Sequence, residues 1–346
     1  MRKILILLTI VCIFSLPVSA TEFTAPPVPN SASEYMPQEG NTFQDDLLFI
    51  IKRALSNLQP SFTEAMRICV SVIAVVILTS MLKSVSGLAK RAVLLVGYFA
   101  IGALLIQPSD ALIKLGTQTV QDLSEYGKLL LPVMTAAVAA EGGMTTSAAM
   151  YTGTAFFNSL LMLLISNVIT PLIYINIALG MCSVIADVPI LKNLKDFSKW
   201  FTTWSLKIVC YIFTGYLSIT GIISGKTDAA ALKTAKLTIS GFVPVVGGIM
   251  SDASETVLAS AGVMKNAAGT YGMLAILAVF ISPFLKIAMQ YLLLKVTASV
   301  CAMVGDASDS VLVEEYATSM GLVLAMVGTM CLLLLISTVC FMKGVS

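Results

Sequence analysis

Apolar residues run in long stretches broken by short polar or proline-bearing gaps, the pattern of a chain that crosses a membrane repeatedly. The stretches cover residues 68–82, 92–106, 129–140, 148–169, 171–186, 205–224, 237–250, 270–294 and 320–342. A full crossing takes about 20 apolar residues. Segments 129–140 and 237–250 fall short, which leaves the count at about seven to nine crossings. Pro171 joins two stretches too closely for an ordinary loop, so they form either a tight hairpin or one long kinked helix. The predicted fold is an all-α polytopic integral membrane protein.

The segments ahead of the first span differ in kind. Arg2 and Lys3 precede an apolar run over 4–16, then Pro17 and Val18-Ser19-Ala20, which reads as a secretory signal peptide cleaved after Ala20. The rival reading, an uncleaved anchor, suffers from a run too short to span comfortably. Residues 21–42, with Pro26, Pro27, Pro29, Pro37 and Gly40, predict a disordered extracytoplasmic lead. Over 43–66, Phe43, Leu47, Ile50, Ile51, Ala54 and Leu58 share one helical face, with Asp45, Asp46, Lys52 and Arg53 off it. Such a helix lies on the membrane surface or docks a partner. Lys83, Lys90 and Arg91 then form a basic loop assigned to the cytoplasm by the positive-inside rule. That agrees with an exported N-terminus.

Two membrane regions, 67–188 and 205–346, flank a basic segment at 189–204. There Lys192, Lys195 and Lys199 oppose Ile190, Leu194, Phe197, Phe201 and Trp204, the pattern of a surface helix at the cytoplasmic interface. The two regions also echo one another. Pro132 and Pro171 are 39 residues apart, as are Pro244 and Pro283, and an offset of 112 aligns the two pairs. The same offset lays 92–106 on 204–218, predicting a duplicated unit of about 110 residues. Against it stand chance coincidence of prolines and the Gly142-Gly143 and Gly247-Gly248 pairs, offset by 105. Paired, Gly/Pro-broken segments are the usual pointer to a translocation site. The candidates are therefore Pro132, Glu141, Gly142 and Gly143 in the first segment and Gly241, Pro244, Gly247, Gly248 and Asp252 in the second.

Composition narrows the chemistry. Of 346 residues, 57% are hydrophobic and 12% charged, against about 25% charged in a soluble domain. The net charge of +2 gives no hint of nucleic-acid binding. No histidine occurs, which removes imidazole catalysis and imidazole metal sites. The seven cysteines all sit in apolar stretches without a CxxC pair, reading as small packed hydrophobes rather than metal or redox groups. No cofactor or metal is expected. Lys286 is the one candidate charge inside a span, where long-stemmed snorkelling competes with a transport role. Asp187 reads as interfacial, and Asp306, Asp309, Glu314 and Glu315 read as a solvated loop.

The run Lys233-Thr-Ala-Lys-Leu-Thr-Ile-Ser-Gly-Phe-Val-Pro-Val-Val-Gly-Gly-Ile-Met-Ser-Asp-Ala253 resembles the signature of the stage III sporulation protein AE family of endospore-forming Firmicutes. The exported N-terminus, the polar lead and the basic 189–204 segment agree with it. The resemblance implies a non-enzymatic, multi-pass component of the channel between mother cell and forespore. It would lie in the mother-cell-derived membrane around the forespore and support late forespore gene expression. It also implies partners: the other stage III sporulation A operon proteins and stage II sporulation protein Q. It supplies no catalytic residues. Within that reading the broken segments either line a path or pack against neighbouring subunits. A stand-alone secondary transporter and a membrane-embedded enzyme are the competing functions.

Overall fold

Apolar positions recurring every three to four residues put almost all of the chain into helix. The computed structural model describes residues 26–37, 42–85, 89–186, 188–242 and 247–343, with backbone alone over 221–261 and at 264. The expected signal peptide, Asp187 and Pro244 lie outside the described residues. The helices are α1 Asn30–Ser33, α2 Phe43–Ser56, α3 Gln59–Val85, α4 Lys90–Ala140, α5 Met144–Leu164, α6 Thr170–Ala186, α7 Pro189–Phe242, α8 Gly247–Val304 and α9 Ala307–Lys343. A π-helical segment, Ile165–Ile169, joins α5 to α6. No strand occurs among the described residues.

Five helical runs are long and apolar enough to cross a membrane: α3, α4, Met144–Ala186, Lys265–Val304 of α8, and α9. All exceed the roughly 20 residues that a 30 Å hydrocarbon layer requires. At its centre stands α9, packed against α8, α4, α5, α6 and α7. It is buried along its length, from Leu312 through Val323 and Met330 to Leu334. α8 and α9 form an antiparallel hairpin, closed where Ser310 Oγ donates to Ala298 O at 2.8 Å. α4 runs parallel to α9, with Gly116 against Val323 and Gly127 against Leu334. α5 and α6 run the other way, with Thr154 beside Ser337 and Asn176 beside Ser319.

Several expectations are corrected. The stretches 92–106 and 129–140 are not two spans joined by a loop: α4 continues through both, with Pro108 and Pro132 inside it. The intervening residues stay helical because Ser109, Ile113, Gly116, Val120, Leu123 and Tyr126 keep a buried stripe going. Of the two arrangements expected for 148–186, the structure has the long helix: the stretches 148–169 and 171–186 form one helical run. Its wider π turn comes just before Pro171, whose ring would clash with the carbonyl four residues back. Pro283, its partner in the expected duplication, instead sits inside regular α-helix.

The basic segment 189–204 is not a separate surface helix but the start of the 54-residue α7. Its apolar side faces outward, with Ile190, Leu194, Phe197, Trp200 and Trp204 exposed and the two indoles stacked at 5.5 Å. Lys195, Ser198 and Thr202 turn toward the bundle. Lys192, Asp196 and Lys199 are exposed beside the outward apolar residues, so the outer surface of this part of α7 is mixed. Within the lead expected to be disordered, residues 26–37 hold α1, with Ala32 and Tyr35 buried against the bundle. Tyr35 Oη bonds Ser282 Oγ of α8 at 3.1 Å, an anchor that overrides the weak local propensity. Of the apolar face expected for α2, Ile50 and Ala54 are buried while Phe43 is exposed; Asp46 is buried too, and Leu48, Phe49 and Leu55 are exposed.

Candidate functional site: a buried polar seam along α9

The acidic run expected as a solvated loop forms the first turns of α9. The Asp306 N–H donates to Asp309 Oδ2 at 2.9 Å, half of a capping box that leaves Asp309 2% exposed. Three lysines from three helices then clamp three carboxylates: Lys83 of α3 on Asp306, Lys295 of α8 on Glu314, and Lys195 of α7 on Glu315. These pairings join residues 223, 19 and 120 positions apart on different helices, so local composition could not distinguish them from solvated charges.

The Lys195–Glu315 pair is the deepest of the three, at 2.5 Å with side chains 13% and 10% exposed. Gly180 of α6 makes room for it, since a Cβ there would stand 2.8 Å from that of Glu315. Further polar contacts continue along α9. Asn176 Nδ2 donates to Ser319 Oγ at 3.1 Å, and Tyr316 Oη lies 3.3 Å from the Gly102 carbonyl. Asn158 Nδ2 donates to the Ser124 carbonyl at 3.2 Å, and Thr154 and Ser337 share a bond of 2.8 Å. From Glu315 to Ser337 the helix rises about 33 Å, close to the thickness of the hydrocarbon layer.

Many of the seam's hydrogen-bonding groups remain unused. Ser124 Oγ, Tyr126 Oη, Asn158 Oδ1, Asn176 Oδ1, Ser198 Oγ and Thr202 Oγ1 are buried without a hydrogen-bond partner. Each such group costs about 1–3 kcal/mol. The seam thus ties the helices together where lipid gives no hydrophobic incentive to do so. Asn158 and Asn176 had a legible signal, a lone amide inside an apolar run. Lys195 and Glu315 had none.

The sequence-predicted residues lie elsewhere. Pro132 is an exposed position in unbroken α4. Glu141 follows that helix and accepts from Lys265 of α8 at 2.5 Å. Gly142 has φ 94° and donates to the Ala139 carbonyl at 3.0 Å, while the Gly143 N–H donates to Val138 O at 3.1 Å. The glycines are therefore a Schellman stop for α4 and not a break within a span. Gly142→Ala is expected to lose about 1 kcal/mol and Gly143→Ala, at ordinary φ, less; unfolding midpoints in detergent check the order. Lys286 is half-buried, lining a cavity of about 130 Å³ with Ser61, Glu64, Pro108 and Gln290. That cavity is beside Pro108, about 50 Å along α4 from Glu141, so these two charges do not form one site. Gly241 in the last turn of α7 and Gly247, Gly248 and Asp252 in the first turns of α8 lie where only backbone is described.

The family model for stage III sporulation protein AE matches residues 33–344. The chain belongs to that family. Stage III sporulation protein AE of Bacillus subtilis (strain 168) is 25% identical over 208 residues, 60% of this chain and 52% of that protein. The match thus spans about half the length of the curated relative. No solved structure matches. For this stage III sporulation AE family member, the matched region takes in the whole seam, from Asn158 and Asn176 to Ser337.

Proposed function

We propose that this chain is a non-enzymatic, multi-pass subunit of the conduit between mother cell and forespore, acting with the other stage III sporulation A operon proteins and stage II sporulation protein Q. It would reside in the mother-cell-derived membrane around the forespore, its N-terminus exported behind a signal peptide cleaved after Ala20. The observation that carries this reading is the family match across 33–344 on a chain with five helical runs fit to cross a membrane. The absence of histidine from the sequence supports a non-enzymatic role. A stand-alone transporter working through paired broken helices is less favoured, because α4 runs unbroken through Pro132 to its glycine stop.

Deleting the gene in its endospore-forming host tests the proposal. A late forespore-specific reporter is expected to fall at least tenfold, to recover with the wild-type copy, and the tagged chain is expected to co-purify with other products of the operon. Normal reporter activity in the deletion strain would overturn the reading.

A further inference from the structure

The outer faces of the neighbouring helices α4 and α5 differ in polarity. The bond from Asn158 Nδ2 to the Ser124 carbonyl fixes that part of α5 beside that part of α4. Around Asn158 the outer surface of α5 is apolar but for Ser159: Phe156, Leu160 and Leu163 are 58%, 36% and 62% exposed. Around Ser124 the outer surface of α4 is the reverse. Asp110, Lys114, Gln118, Gln121, Glu125 and Lys128 recur at steps of four and three, hence on one face. The last five are exposed and Asp110 is half-exposed. Their polar atoms are tied along the surface, Lys114 to Asp110 at 2.7 Å and Gln118 to Asp122 at 2.8 Å.

No single medium suits both sides. Lipid all round would place several charges in hydrocarbon, where each is costly. Water all round would strand a contiguous apolar helix face. A second observation points the same way. Ser31 Oγ, in the lead, donates to Asp122 Oδ2 of this stripe at 2.8 Å. The residues on either side of α1, 26–29 and 36–37, are not in regular secondary structure. Irregular backbone does not face lipid at membrane depth; it borders protein or a water-filled space.

We propose that the polar stripe of α4 lines a water-filled vestibule at the level of the membrane, with α5 facing lipid and the lead residues 30–35 lying across the vestibule wall. The proposal rests on the chain spanning a membrane and is independent of its role in a sporulation conduit.

Single cysteines in a cysteine-free full-length chain, in native cell membranes, test it with a charged, membrane-impermeant maleimide. Cysteines at Lys114, Gln118, Gln121 and Glu125 are expected to react at least tenfold faster than cysteines at Phe156, Leu160 and Leu163. Comparable fast reaction at both sets would mean that this level stands in bulk water. No reaction at either would mean that lipid or a partner protein covers α4. Both outcomes overturn the proposal. A cysteine at Leu123, buried beneath the stripe, should react only after denaturation and so reports folding for the whole series. The labelling contrast can fail while the reporter still depends on the gene, and the reverse, so the two proposals fail separately.

Discussion

Lys195→Met is expected to lower stability by about 3–5 kcal/mol, because it leaves the Glu315 carboxylate buried and unpaired. Glu315→Leu should cost a similar amount by stranding the ammonium. The double variant Lys195→Met, Glu315→Leu should recover most of the loss, since an apolar pair of similar volume often matches a buried ion pair or exceeds it. Midpoints of thermal unfolding in detergent, arranged as a double-mutant cycle, measure the coupling. Additive single losses would show that the pair does not act as a unit. By contrast, the pair between Lys114 and Asp110 is exposed, and removing it should change stability little.

Gly153→Ala is expected to be the most damaging change of a single methyl group. A Cβ at Gly153 would lie 1.9 Å from Cε1 of Tyr216, whose ring abuts the glycine while its hydroxyl donates to the Ala149 carbonyl at 2.9 Å. The ring of α7 can retreat only by breaking that bond and disturbing Phe157, 6.0 Å away between centroids. Overpacking of this kind costs about 1–3 kcal/mol. Gly215 lies one residue before Tyr216 on the same helix, yet a Cβ there meets nothing within 4 Å. Gly215→Ala should therefore be neutral or slightly stabilising through helix propensity. Equal midpoints for the two alanine variants would refute the tight α5–α7 contact.

Helical class and membrane character could be read from the sequence because they depend on local quantities, the spacing and length of apolar runs. The glycine signature around 241–248 likewise identified the family, since a fixed string needs no partner to be recognised. Helix ends were harder to read. Pro132 looked like a break, but proline is tolerated inside α4, whose buried stripe continues on either side of it. The apolar face of the 189–204 segment was located correctly, yet its continuation into the 54-residue α7 was not, because periodicity marks faces without marking where a helix ends.

Charge was the property that local reading treated worst. Glu314 and Glu315 looked alike in the sequence, and Asp110, Lys114 and Glu125 fall between two of its apolar stretches. Tertiary structure alone decided that Glu315 meets Lys195 inside the bundle and that the α4 charges line one of its outer faces. The sequence by itself determined that this chain is helical, suited to lipid and of the stage III sporulation AE family. Which polar groups are buried, paired or turned outward depended on helices more than 100 residues apart meeting side by side, because the solvation of a charge is set by its neighbours in space.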